Sequence, residues 1–177
     1  MVDHPNAALL RQAYDSAPFV LRRDEGEARW FLNQLILIKS AGASTGGRLA
    51  VLESWAPRGP GSPLHVHHRE AEFWYVIRGE LTLWVGGELF EAPEGSLAYG
   101  PPNVPHTFEI TSDEARFLVL NQPTGFEDFI RDQSQPATAL SLPPAGGPPP
   151  DLARLAAVAA EHGIEILGPP GLPEATL

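Results

Sequence analysis

The sequence predicts an all-β sandwich or barrel, and three observations predict it. Apolar and β-branched residues gather in many short runs. Turn-forming residues separate those runs at even spacing, with 17 Gly and 19 Pro among 177 residues to supply them. A hydrophobic share of 43% is enough for a core, and a charged share of 19% is too low for a disordered chain.

The elements follow in chain order. Asn6 is placed to cap a short helix, Ala7 to Ala13, that ends before Pro18. Trp30 to Lys39 reads as one strand, Ser44-Thr45-Gly46-Gly47 as a turn, and Arg48 to Trp55 as the second arm of a hairpin. Pro57 to Pro63 reads as a loop. Six strands follow: Phe73 to Ile77, Leu81 to Val85, Glu88 to Glu91, Ser96 to Tyr99, His106 to Ile110 and Arg116 to Asn121. Gly79-Glu80, Gly86-Gly87, Pro93-Glu94-Gly95 and Pro101-Pro102-Asn103 separate them. After Thr124 the character changes. Phe126 to Arg131 reads as a brief helix and Ala137 to Pro150 as a Pro-rich surface connector. Asp151 caps a helix from Leu152 to about His162, stopped by Gly163 and expected to pack on the outside of the barrel. Ile164 to Leu167 reads as a last strand. One domain over residues 1–177 is expected, with its core at about 30–122 and an extension at 123–177.

Composition narrows the partners. A net charge of −10 argues against nucleic acid and anionic membrane, which need basic surface. There is no cysteine, so disulfides, thiolate metal sites and Cys nucleophiles are excluded. No apolar run approaches the roughly 20 residues of a membrane span. The first residues lack a basic flank with an apolar run behind it, so a cytoplasmic protein is expected.

The chemistry concentrates at His65-Val66-His67-His68-Arg69-Glu70-Ala71-Glu72. Imidazole and carboxylate are what borderline transition metals accept when no thiolate is offered. His65 and His67 are two apart, so on a strand both rings share a face while Val66 points away. A turn through His68 to Ala71 returns the chain so that Glu72 faces the same space, sharing its face with Trp74 and Val76. Val104-Pro105 gives His106 a rigid entry. Three imidazoles and one carboxylate make four ligands for one divalent metal per chain: Fe, Mn, Co, Ni, Cu or Zn. A five- or six-coordinate ion then keeps a place open for water, oxygen or substrate.

Gly59-x5-His65-x-His67-x4-Glu72-x6-Gly79 resembles the first motif of the cupin superfamily, with its glycines, histidines and glutamate in register. Gly87-x5-Pro93-x-Gly95 and Pro105-His106 resemble the second. That one departs in a longer gap from Gly95 to His106, and in Ile110 where Asn is usual. The resemblance covers about residues 30 to 122 and implies a double-stranded β-helix, or jelly roll, with short helices at its two ends. Thr45-Gly46-Gly47-Arg48, Pro63 to Glu70, Thr124 to Phe129 and Gly163 to Pro170 are similar to the single-barrel proteins resembling bacterial quercetin 2,3-dioxygenase. That likeness implies a metal-dependent dioxygenase acting on a flavonol-like or other enolisable aromatic molecule, with O2 as co-substrate. Glu72 is then ligand and general base in turn. A non-redox sensor or carrier, or an isomerase or lyase of the same fold, is the alternative. A homodimer paired through sheet edges is also implied.

The remaining candidates carry weaker expectations. Trp74, Trp84, Tyr99 and Phe108 are candidate pocket aromatics, with ordinary core as the competing reading. His68 and Glu70 are read as solvated or standing behind the ligands, so Glu70→Gln is expected to do little; Glu70 is the fallback carboxylate. Arg48, Arg78 and Arg116 are read as surface residues before anchors for a substrate carboxylate.

Overall fold

The computed structural model describes residues 17–146 and 150–173. The helix expected at Ala7 to Ala13 lies outside them. Strand β1 (Glu27–Phe31) and strand β2 (Gln34–Ser40) form a tight hairpin. The run expected as one strand is therefore two. It breaks at Leu32, whose backbone turns left-handed at φ 53, so that Phe31 pairs with Gln34. Helix α1 (Gly42–Thr45) fills the expected turn and ends on Gly46 at φ 63, a conformation that costs glycine little.

Strand β3 (Ala50–Pro60) is longer than expected and absorbs most of the predicted Gly/Pro loop. Its pairing with β2 stops at Trp55. Beyond that point one edge is open, and Pro57 and Pro60 sit where a missing N–H costs no ladder bond on that side. Strands β4 (Pro63–His67), β5 (Ala71–Arg78), β6 (Glu80–Val85), β7 (Glu88–Pro93) and β8 (Leu97–Gly100) follow. Strand β9 (His106–Gln122) joins two runs expected to be separate. The polar stretch Thr111 to Glu114 does not end it, because Gly59 pairs with Ile110 and Pro57 with Glu114 across a bulge.

Every pairing is antiparallel. Strand β9 pairs with β3, β4, β5 and β6, so one long strand serves both layers of the jelly roll. Alternation then puts Leu52 and Ala56 of β3, Trp74 and Val76 of β5, Leu81 and Leu83 of β6, and Ile110 and Phe117 of β9 into one core.

The extension after residue 122 is part of the barrel wall. Helix α2 (Phe126–Gln133) leads to strand β10 (Gln135–Pro136), which pairs with β1. Helix α3 (Leu152–Glu161) is capped by Asp151, whose side chain accepts from the Arg154 N–H, and Gly163 follows at φ 74. Strand β11 (Ile164–Pro170) pairs with β4, placing Ile166 opposite His65 and Ile164 opposite His67. No described helix is long and apolar enough to cross a membrane.

Candidate metal centre

The pleat of β4 turns His65 and His67 to one side, and the β4–β9 register sets His65 directly across from His106. Strand β5 brings in Glu72 from its inward face, beside Trp74. All four side chains are buried, and one donor atom from each falls within 4.8 Å of the others. His65 Nε2 lies 3.2 Å from His67 Nε2. Glu72 Oε2 lies 3.1 Å from Nε2 of His67, 3.1 Å from Nε2 of His106 and 3.9 Å from Nε2 of His65.

The outward nitrogens explain this convergence. His65 Nδ1 is 2.8 Å from the Pro63 carbonyl and His106 Nδ1 is 2.8 Å from the Val104 carbonyl. A carbonyl only accepts, so each Nδ1 carries the proton and each neutral ring turns an Nε2 lone pair inward. Lone pairs crowded this closely repel unless a cation or a proton sits among them. Ligands about 2.0–2.2 Å from a shared ion stand roughly 3–3.5 Å apart; four of the six donor pairs here stand 3.1–3.9 Å apart and all lie within 4.8 Å. The residues therefore fit a divalent transition metal.

The electrostatics express the same demand for positive charge. Burial pulls His65 down to about 4, with the charge of His106 adding to it. Burial also opposes a charged His67, but the carboxylates of Glu70 and Glu72 outweigh it and raise His67 to about 9. Burial would lift Glu72; the adjoining rings of His106, His65 and His67, with the charge of His67 adding to them, outweigh it and hold its carboxyl well below the usual range.

His65 and Glu72 open onto an apolar cavity. Its wall includes Leu52 and Phe108 from the barrel and Phe126, Phe129, Leu155 and Ile164 from the extension. Gln34, Ser54 and Ser62 add neutral polar groups, and among the described residues no Lys or Arg takes part. The space open to the centres of water-sized molecules is about 50 Å³. By the same measure one water needs roughly 10–15 Å³, so the cavity holds a few waters or a compact organic fragment.

The predicted pocket aromatics divide. Phe108 lines the cavity. Trp74 is fully buried with its ring 5.3 Å from that of His106, and supports that ligand without reaching the cavity wall. Trp84 falls on the outer face of β6, opposite to Leu81 and Leu83, and Tyr99 is 51% exposed on the outer face of β8. Neither lines the cavity, because the strand period sends both outward. Arg48, Arg78 and Arg116 also lie off it; Arg116 stacks over Trp55 at 4.7 Å. His68 is solvent-facing and holds Asn103 and Glu165.

Of the two readings of Glu70, solvated or behind the ligands, the structure takes the second: it is 1% exposed and sits behind His67. Sequence reasoning missed one feature. The helix expected on the outside of the barrel, α3, lends Leu155 to the cavity wall. A signal existed for its burial, since Leu155 and Ala159 recur at helical spacing on one face.

Residues 51–121 match the cupin domain family. The chain is 28% identical over 121 residues to quercetin 2,3-dioxygenase of Bacillus subtilis, covering 68% of this chain and 36% of that protein. It spans about a third to a half of the length of the curated relatives it matches. Among solved structures, an RmlC-like cupin from Shewanella frigidimarina superposes with a TM-score of 0.55 at 19% identity, covering 66% of this chain and 100% of that one. A predicted oxalate decarboxylase from Thermotoga maritima gives 0.55 at 18% identity, covering 59% and 99%. At these identities the structural likeness speaks for the fold alone.

Proposed function

We propose that this chain, whose residues 51–121 match the cupin domain family and which resembles quercetin 2,3-dioxygenase-like proteins, is a metal-dependent oxygenase acting on a small enolisable aromatic molecule. The observation that carries the reading is the convergence of three Nε2 atoms and one carboxylate oxygen at the end of an apolar cavity. His65, His67, Glu72 and His106 would hold the metal. Bound there, it would supply Lewis acidity toward an enolate oxygen and a route for electrons to O2.

The chain's own groups define the rest. Among the described residues the cavity has no basic side chain to neutralise a phosphate or a distal carboxylate, which favours a ligand that is neutral before it ionises at the centre. Gln34 donates its amide to the Gly61 carbonyl at 2.6 Å, which fixes the polar end of the wall. Glu72 is a weak base while three imidazoles hold it, as its lowered titration shows. Swung toward the apolar wall it would lose those bonds, and burial would then raise its affinity for a hydroxyl proton. The small enclosed space favours a single-ring enol over a three-ring flavonol.

Three His and one Glu accept zinc as readily as a redox metal, which favours a non-redox isomerase, lyase or sensor as the second reading. Elemental analysis of the purified protein, with oxygen uptake measured on a panel of flavonols and single-ring enols, separates the two. Close to one redox-active metal per chain with uptake supports the oxygenase. Zinc with no uptake on any member moves the reading to the second class. No metal after reconstitution sinks both.

A further inference from the structure

Behind His67, on the side away from the cluster, two buried polar atoms face each other with no other partner among the described residues. His67 Nδ1 and Glu70 Oε2 are 3.5 Å apart, and neither makes a hydrogen bond at that distance. His67 is 0% and Glu70 1% exposed, so bulk solvent does not reach them. A buried carboxylate oxygen and a buried ring nitrogen left unpaired each carry a desolvation cost, which falls when they bond. The other Glu70 oxygen is occupied: Arg69 Nη2 donates to Oε1 at 3.0 Å. The same guanidinium reaches the Thr124 carbonyl at 3.5 Å. Gly125 leaves room for this pair, since a Cβ there would stand 2.5 Å from Arg69 Nη2 and 2.7 Å from Glu70 Oε1.

His65 and His106 have their Nδ1 protons fixed by backbone carbonyls. His67 has no carbonyl in that position, and Glu70 is what stands there. We propose that Glu70 is a positioning residue: its Oε2 accepts the Nδ1 proton of His67 and so presents the His67 Nε2 lone pair to a metal held with His65, Glu72 and His106. Closing the contact by about 0.4 Å brings it into hydrogen-bond range. Arg69 holds the carboxylate from its far side. A carboxylate behind a ligating imidazole raises its basicity and fixes its ring. Glu70 cannot replace Glu72 as a ligand to the same ion, because it addresses the opposite nitrogen of His67. The inference rests on the metal reading of the cluster.

The test is zinc affinity of the metal-free protein, wild type against Glu70→Gln, by competition with a chromophoric chelator. Gln either accepts more weakly or turns its amide N–H₂ toward Nδ1 and favours the wrong tautomer. Affinity is expected to fall about tenfold to a hundredfold. Equal affinities overturn the proposal and leave the metal centre standing; a wild type that binds no zinc overturns the metal reading and this proposal with it. Nitrogen-15 NMR of zinc-loaded wild type gives a readout that needs no variant. A His67 ring bound through Nε2, with a slowly exchanging, hydrogen-bonded Nδ1 proton, supports the assignment. Binding through Nδ1 overturns it.

Discussion

Each residue of the cluster has a separable consequence. His65→Ala or His106→Ala removes one of four donors, and most bound metal is expected to be lost on gel filtration, as elemental analysis would read. Full retention in either variant removes that ligand from the set. Glu72→Gln keeps three imidazoles and a weak oxygen donor, so part of the metal should stay while turnover falls by about two orders of magnitude or more. Unchanged turnover counts against Glu72 as the base. Metal uptake should also depend on pH with a definite sign. In the metal-free fold His67 is raised from 6.5 to about 9 and must give up a proton to become a ligand, whereas His65, lowered to about 4, is already neutral. Affinity is expected to rise about tenfold per pH unit through neutrality and to level off near 9. Protonated His67 stabilises the metal-free fold fully below 6.5, and that contribution fades as pH climbs through 9. Affinity that stays flat from pH 6 to 8 contradicts the assignment.

Among the elements, β4 and the C-terminal extension decide how the centre is enclosed. Strand β4 lies between β9 and β11, so His65 is paired on both edges, while His67 is paired to β11 and its carbonyl accepts from the Asn103 N–H. Helix α3 touches β11 and α2, and its Leu155, 3% exposed, reaches the cavity. Leu155→Ala should cost about 2–5 kcal/mol in urea unfolding and enlarge the cavity by the volume removed. The same variant is expected to bind bulkier enols relative to single-ring ones than wild type does. A loss of stability under 1 kcal/mol would mean that the helix is not packed as described. The strands and turns of the barrel were largely legible, because alternation and Gly/Pro punctuation are local signals. Leu32 was not, since a left-handed leucine has no sequence mark. Pro57 to Pro60 misled for a physical reason: proline argues against a paired strand, but only where both edges are occupied.

At the scale of the molecule, the four side chains tie β4, β5 and β9 together at one point. A metal bound there favours the folded chain by mass action, by about 2.7 kcal/mol at a hundredfold excess over its dissociation constant. For a chain of this length that corresponds to a thermal midpoint about 5–10 °C higher, lost on treatment with a chelator. A midpoint indifferent to chelator and to added metal would count against a metal held by the fold.

By itself the sequence determined the strand-rich fold and the four residues of the cluster. The pattern that places His65, His67 and Glu72 on inward faces is the two-residue period of a strand, and ligand chemistry is written in residue type. Tertiary structure alone decided which aromatics face the cavity, that Glu70 is buried behind His67, and that residues after 122 close the wall. Those facts depend on which strands meet across the barrel and where a distant helix lands. The apolar face that carries Leu155 is legible in the helix, but the barrel floor it meets, built a hundred residues earlier, is not, because which surfaces meet is a property of the assembled chain and not of the local one.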